Sequence, residues 1–309
     1  MLTPPLGLRR SETLEAAIRR VLMEQLDVVA LALDSEPETL GRAVHLARRT
    51  LKKIRALVRL IASGGGDRHM AAPLINLRDA GRLLAPLRHA DVIVTVVRAA
   101  VADLPASHDP ASLAGLERLL VAERESVFAA GGGAALSKAA RETDAARRVI
   151  EAWKPSATDF DLIRAGIGDW YGRGRKAKDA VCGSANAEAF HTWRKRTKDV
   201  RHQVQFLSPI APEMVTAADD LHRLTNLLGD AHDLDHLEAA ARLHDPVGFD
   251  GPDSAFRFLA DQRVSFCNAA CSLGQEFFAE ESGDYASRLE SYWDLWVAEG
   301  SKAADVVQG

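Results

Sequence analysis

Residues 43–61 read AVHLARRTLKKIRALVRLI. Val44, Ala47, Leu51, Ile54, Val58 and Ile61 recur at spacings of three and four, which puts them on one face of an α-helix. One position later runs a second stripe, His45, Arg48, Lys52, Arg55 and Arg59, with Arg49 beside it. From Arg42 to Arg59 there are seven Arg or Lys and no Asp or Glu. Like charges one turn apart weaken a helix by about 0.2–0.5 kcal/mol per pair. Helix stability therefore does not account for the stripe. An anion held against it would.

The pattern returns 146 residues later in 189–207, AFHTWRKRTKDVRHQVQFL. His191 falls on His45, Arg194 on Arg48, Lys195 on Arg49, Lys198 on Lys52 and Arg201 on Arg55. The apolar stripe returns as Phe190, Trp193, Val200, Val204 and Leu207, with Thr197 as its polar member. Two matching basic helices in one chain imply a duplicated unit with paired binding faces. A second element supports this: 84–91, LAPLRHAD, aligns with 228–235, LGDAHDLD, so that Arg88 falls on His232 and Asp91 on Asp235. Each follows its basic helix at a similar distance, which is the ordering expected of an internal repeat.

Charge and composition narrow the partner. The chain of 309 residues has a net charge of −4, yet residues 42–59 carry +7 and residues 191–205 carry +4, leaving −15 for the rest. An acidic body with two basic helices suits a confined anion site better than a general nucleic-acid surface, where basic charge spreads broadly. No apolar run is long enough to span a bilayer, and MLTPPLGLRR lacks the apolar core of a signal peptide. Cys182, Cys267 and Cys271 fit a reducing compartment, so a cytoplasmic protein is expected. Cys267 and Cys271, four apart on a predicted helix, read as packing residues rather than a disulfide.

Helices are predicted throughout. Ser11 caps a first helix to about Leu33, and Asp34-Ser-Glu-Pro37 breaks it. The basic helix ends at Ser63-Gly-Gly-Gly66. A third helix starts near Pro73 with a kink at Pro86, and a fourth runs over about 89–102. Helices at about 112–129 and 134–153 are separated by Gly131-Gly132-Gly133, and Lys154-Pro155-Ser156 closes the first half. The second half has a helix near 158–180, then Gly183 and Ser184 before the second basic helix, which ends at Ser208-Pro209. Helices at about 212–228 and 231–243, a loop at 244–252, and helices at about 253–281 and 284–299 follow. Val92-Ile-Val-Thr-Val-Val97 has strand-like composition, but Asp91, Arg98 and Ala99 continue a helical pattern.

These motifs resemble the CHAD domain, the conserved-histidine alpha-helical domain. The matches are His45-x-x-Arg48-x-x-x-Lys52-Lys53-Ile54-Arg55, His191-x-x-Arg194-Lys195-Arg196-x-Lys198-x-Val200-Arg201, and the 228–235 element with its degenerate copy at 84–91. Tyr171-x-Arg173-Gly174-Arg175 resembles the family's basic segment before the second helix, and Arg288-Leu-x-x-Tyr-Trp-Asp-Leu-Trp296 its last helix. The chain departs from the family at Ala85, where Gly is usual, at His89, where Asp is usual, and at Asp199, where a basic residue is common.

The resemblance implies an all-α fold of two four-helix bundles related by pseudo-twofold symmetry, residues 1–155 and 156–309, together forming one domain. It implies a basic channel between them that binds inorganic polyphosphate; it does not imply catalysis, and a non-enzymatic module without cofactor is expected. The residues expected there are His45, Arg48, Arg49, Lys52, Arg55, Arg59, Arg88, Arg173, Arg175, His191, Arg194, Lys195, Lys198, Arg201 and His232. Chemically, Arg offers a planar fork to phosphate oxygens and Lys a mobile point charge, so the two together grip a chain yet tolerate a sliding register. No Glu-x-Glu-x-Lys signature of a fused tunnel triphosphatase occurs, so a stand-alone module is expected, with granule targeting among its roles.

Bland readings and two rivals stand beside this one. A single basic helical face is usually a solvated surface; two matched faces with almost no local acid are not. A lone His on an amphipathic helix is usually structural, whereas His45 and His191 occupy matched positions. Trp153, Trp170, Trp193, Trp293 and Trp296 read as core, since they are not interleaved with the basic stripes as stacking platforms would be. The sharper rival is a metal-dependent phosphohydrolase built on His232-Asp233-Leu234-Asp235-His236, whose spacing can place ligands on one helical face. Its counterpart, Arg88-His89-Ala90-Asp91-Val92, cannot form a matching site, and the carboxylates there are expected to orient arginines. Nucleic-acid binding is the second rival, because phosphate contacts alone carry no base information.

Overall fold

The computed structural model describes residues 4–36, 39–63, 68–182, 186–244 and 255–308, except for the side chains of Arg68 and of 301–308. Its long elements are helices: α1 Leu14–Leu33, α2 Leu40–Ala62, α3 Pro73–Leu83, α4 Ala85–Asp103, α5 Ala111–Glu151, α6 Arg164–Asp179, α7 Ala187–Leu207, α8 Pro212–His244, α9 Ala255–Phe277 and α10 Ser282–Gln308. Among the described residues there is no strand, and 92–97 is helical. The triglycine at 64–66, Gly183 with Ser184, and 245–252 of the expected loop lie outside the described residues.

Local chemistry sets several helix ends. The cap of α1 is Thr13, not Ser11: its Oγ1 accepts from the Ala16 amide at 3.3 Å. Asn186 caps α7, its Oδ1 accepting from the amides of Glu188 and Ala189 at 3.1 and 3.2 Å. Between α3 and α4 the chain breaks at Leu84, where Pro86 lacks an amide hydrogen and its ring crowds the preceding turn. The aligned position in the second half is Asp230, and there α8 runs unbroken from Pro212 to His244. The expected division of 212–243 into two helices is therefore corrected.

The division of 112–153 is corrected as well: α5 is continuous through Gly131, Gly132 and Gly133. Each Gly costs a helix interior about 1 kcal/mol relative to Ala. Packing outweighs this cost. Leu113, Leu116 and Leu120 are buried near one end of α5, and Leu136, Ala139, Ala146 and Ile150 near the other. Gly132 has a positive role, because a Cβ there would lie 2.6 Å from Leu40 Cδ2 at the start of α2.

All six residues of the α2 apolar stripe are at most 1 % exposed. The helix also buries Ala56, Leu57 and Leu60, because α6 and α7 pack on it in addition to α1 and α3. The backbone approach of α6 is so close that a Cβ on Gly166 would collide with the Leu60 carbonyl. One apolar cluster runs through both halves of the chain, from Leu14 and Leu22 through Ile54 and Trp193 to Leu289 and Trp293. A second joins Ile93, Val97 and Leu116 to Leu237, Phe256 and Leu259, so α4 and α5 meet α8 and α9. The first cluster ends at Leu87 on α4 and Ala231 on α8; the second begins at Ile93 and Leu237. Residues 88–91 and 232–236 fill the gap between the two cores.

Candidate anion-binding site

The basic stripe of α2 follows from its register. With the apolar stripe facing α1 and α3, His45, Arg48, Lys52 and Arg55 emerge on the adjoining face, and the same rule on α7 places His191, Arg194, Lys198 and Arg201. The two helices pack on each other, and α4 adds Arg88. Lys52 is pushed down to about 8, first by burial and then by Arg48, Arg194, Arg88 and Arg55. Lys198 is pushed down to about 6 by burial, Arg194 and Lys52. Charges from three helices thus converge on one volume.

Counter-charges are scarce inside it. Among the described residues, Arg48, Lys52, Lys53, Arg55, Arg194, Lys198 and Arg201 form no ion pair with a carboxylate. Arg201 Nη1 instead donates to Thr225 Oγ1 at 3.1 Å, and Arg48 Nη1 donates to the Gly81 carbonyl. The Nε atoms of Arg48, Arg55 and Arg194 are buried with no partner. Leaving a buried donor unmade costs about 1–3 kcal/mol. Burial lowers the pKa of Arg48, Arg194 and Arg201, and lowers Arg55 to about 10; Asp199 near Arg55, and Asp233 and Asp230 near Arg194, offset only part of the lost hydration. His45 is lowered too, by burial and then by Arg88, Arg49 and Lys52. Arg49 and Lys195 are exposed beside this group.

A cavity of about 400 Å³ opens at the start of α2, lined by Thr39, Gly41, Arg42, His45, Arg88, Asp91 and Arg124. Asp91 accepts from Arg88 Nη1 at 3.1 Å and from Arg124 Nε at 3.0 Å. Gly41 makes room for them, since a Cβ there would lie 3.0 Å from Asp91 Oδ1 and 3.2 Å from Arg124 Nη2. Arg124, on α5, was missed in the sequence reading because it lies outside both repeats; only tertiary contact brings it in. On α8 the aligned carboxylate, Asp235, is held by Arg263 of α9. Both carboxylates orient arginines, as their alignment implied.

Three expected residues sit apart, each with its own carboxylate. Arg59 Nη1 reaches Asp199 Oδ1 and Oδ2 at 2.8 and 2.9 Å. Asp199 is 7 % exposed, so the acid that departs from the basic pattern is the buried counter-ion of Arg59. Arg173 pairs with Asp169 at 2.9 Å and Arg175 with Glu281. Arg59, Arg173 and Arg196 surround the Trp170 ring, their Cζ atoms 5.4, 4.7 and 5.4 Å from its centroid. Trp170 is therefore a core residue with a cationic rim.

His232 joins a feature that sequence alignment does not show. Its Nε2 lies 3.0 Å from Nε2 of His236, and its ring stacks on His191 at 4.4 Å between centroids. His236 in turn meets His89 edge-on at 5.0 Å. Four imidazoles from α4, α7 and α8 form one line in the gap between the two cores. Cys182 and Cys271 also approach, Sγ to Sγ at 2.7 Å, a pairing that the sequence spacing did not suggest. Among the described residues no group of three or more His, Cys, Asp or Glu is arranged to hold a metal, and no helix is long and apolar enough to cross a membrane.

Comparison with known proteins places this arrangement. A CHAD domain profile matches residues 14–242. No curated protein gives a significant match. The crystal structure of the CHAD domain from the plant Ricinus communis superposes with a TM-score of 0.63 at 15% identity, covering 90% of this chain and 96% of that one. At that identity the superposition establishes shared fold alone. The profile spans most of the chain and both basic helices, and the protein belongs to the CHAD domain family.

Proposed function

We propose that this protein binds inorganic polyphosphate in a basic channel formed by α2 and α7, with α4 and α8 as its further walls, and that it does so without catalysis. The observation that carries the reading is a set of basic side chains without ion-pair partners: among the described residues, seven Lys and Arg of α2 and α7 form no salt bridge, and three of them have buried, unpartnered Nε donors. Assembling such a set opposes folding, so its retention is explained by an anion that supplies the missing partners. A chain polyanion fits better than a single phosphate, because the cations are strung along two helices rather than gathered at one point.

On this reading Arg48, Arg55, Arg194 and Arg201 grip, Lys52 and Lys198 add adaptable charge, and Arg88 and Arg124 sit at the mouth. Arg59, Arg173 and Arg175, already paired, shape the far end rather than bind. The two halves act as related bundles, and localisation to polyphosphate granules in the cytoplasm follows from affinity for the polymer. Occupation of Asp91 by Arg88 and Arg124, and of Asp235 by Arg263, favours binding over metal-assisted hydrolysis, because the carboxylates a metal needs are engaged.

The test is a titration of the purified protein with long-chain polyphosphate, orthophosphate, ATP and single-stranded RNA at two salt concentrations. Tight binding of long-chain polyphosphate alone, with no phosphate released in Mg²⁺, Mn²⁺ or Zn²⁺, is the expected result. Preference for RNA, or metal-dependent turnover lost in His232→Ala and Asp235→Ala, would overturn it.

A further inference from the structure

In the line of imidazoles His89, His236, His232 and His191, the polyphosphate reading above uses only His191 and His232; His236 entered only as a metal ligand in the rival hydrolase reading, and His89 in neither. The four side chains come from three helices and occupy the polar gap between the two apolar cores. Apart from Ala90 and Leu234 the gap is lined by polar side chains, whereas Leu87 and Ala231 before it and Ile93 and Leu237 after it belong to the apolar cores.

The geometry restricts how many protons the line can carry. His232 Nε2 and His236 Nε2 are 3.0 Å apart, so one donates N–H and the other accepts through its lone pair. While that bond persists, at least one of the two rings is neutral. The surroundings reinforce this. From α7, Arg194, Lys195 and Lys198 face His191 and His232, opposed by Glu188. From α8, Asp233 and Asp235 face His236, but Asp235 is engaged by Arg263 of α9. Lys52 of α2 stands beside Lys198 and Arg194. Burial first holds His191, His232 and His236 below their ordinary pKa; Lys195 and Arg194 add to it at His191, Arg194 and the two neighbouring imidazoles at His232, and His89 at His236, against Asp233 and Asp235. His191 Nδ1 is buried with no partner.

We propose that this imidazole line is a proton-linked phosphate subsite of the channel, in which His89 and His236 extend the binding surface and a phosphate group of the polymer replaces the His232–His236 hydrogen bond. A phosphate placed there accepts N–H from both rings and offsets the cations that keep them neutral. The rings then take up protons as the anion binds, and affinity rises as pH falls. The sign follows from linkage: groups whose pKa is higher in the complex than in the free protein favour binding below the bound pKa and contribute nothing above it. The proposal rests on the polyphosphate reading.

The experiment measures affinity for long-chain inorganic polyphosphate from pH 8 to pH 5.5, with proton uptake counted by calorimetry in two buffers of different ionisation enthalpy. Internal phosphates of the polymer are strongly acidic and keep their charge across this range, so a pH slope reports the protein. Each proton taken up steepens affinity by about tenfold per pH unit. The expected result is uptake of about one proton or more near pH 6.5, diminished in the H89Q/H236Q variant and in H236Q alone, with helicity verified by circular dichroism. Lys198 is the rival source of protons, and K198R fixes its charge. Uptake that persists in H89Q/H236Q but disappears in K198R would overturn the proposal. Binding at pH 8 with affinity flat down to pH 5.5 would overturn it and leave the polyphosphate reading intact. No binding of polyphosphate at any pH would overturn both.

Discussion

At the residue scale, the basic positions divide by whether a carboxylate answers them. Arg59 has Asp199, Arg173 has Asp169 and Arg175 has Glu281, whereas Arg48 and Arg201 have only neutral acceptors. Arg48→Glu or Arg201→Glu should each weaken long-chain polyphosphate binding by at least about 30-fold, the scale of losing one partner of a desolvated charge contact at about 2–5 kcal/mol. The double variant should add little, and far-ultraviolet circular dichroism should show unchanged helicity, since both residues lie off the apolar stripe. Lys198 predicts a conflict between stability and binding. Its pKa falls from 10.5 when unfolded to about 6 in the fold, through burial, Arg194 and Lys52. Between those values the unfolded chain holds the proton and the folded protein does not, so stability rises with pH across that window. Below about 6 the folded protein carries the charge and the full cost. Lys198→Met should therefore raise the Tm of the ligand-free protein at pH 7 by several degrees, less so as pH approaches 10, while reducing polyphosphate affinity. A lower Tm at pH 7 would contradict the account.

At the element scale, α5 and α8 show tertiary packing overriding local breakers. Gly131 and Gly133 meet nothing within 4 Å of an added Cβ, while one on Gly132 would strike Leu40. Gly131→Ala and Gly133→Ala should each stabilise by up to about 1 kcal/mol, through helix propensity. Gly132→Ala should instead destabilise, by about 1–3 kcal/mol as overpacking does, because the buried Leu40 side chain must move. Urea midpoints of the three variants measure this directly. All three shifting the same way would mean that Gly132 does not face Leu40 as described. The contrast between the broken α3–α4 pair and continuous α8 has the same logic: Pro86 removes a donor that no packing restores, whereas glycine removes nothing that packing cannot replace.

At the scale of the whole molecule, the first apolar cluster takes residues from α1 and α2 as well as from α7 and α10. Residues 1–155 and 156–309, although similar in their motifs, therefore share a core, and unfolding should be a single transition, with near- and far-ultraviolet circular dichroism coincident in urea. The −15 carried outside the two basic segments opposes a polyanion away from the basic seam. Polyphosphate affinity should fall steeply with salt, since binding releases the counterions of the polymer; the slope of about −0.9 per phosphate contacted in B-DNA sets the scale. Orthophosphate, which fills one position only, should compete poorly even in large excess.

Much of this was present in the sequence because it is local. The spacing of Val44, Ala47, Leu51, Ile54, Val58 and Ile61 determined a helix and its buried face, and the stripe one position later determined the basic face. The recurrence of both after 146 residues, with the 84–91 and 228–235 elements in the same order, determined the family. What the tertiary structure decided is non-local. Asp199 looked like a departure on α7 until Arg59 of α2 supplied its partner, and Arg124 carries no motif of its own. The fate of Gly131–Gly133 depended on Leu40 and the cores at both ends of α5, not on glycine's own preference. His89 and His236 lie 147 residues apart and belong to different aligned columns, so no periodicity joins them; their rings meet because α4 packs on α8. Periodicity reports which face of a helix is apolar, but a helix can turn that face to any of several neighbours. Which side chains then share a volume, and which charges go unanswered there, is set only when the helices pack.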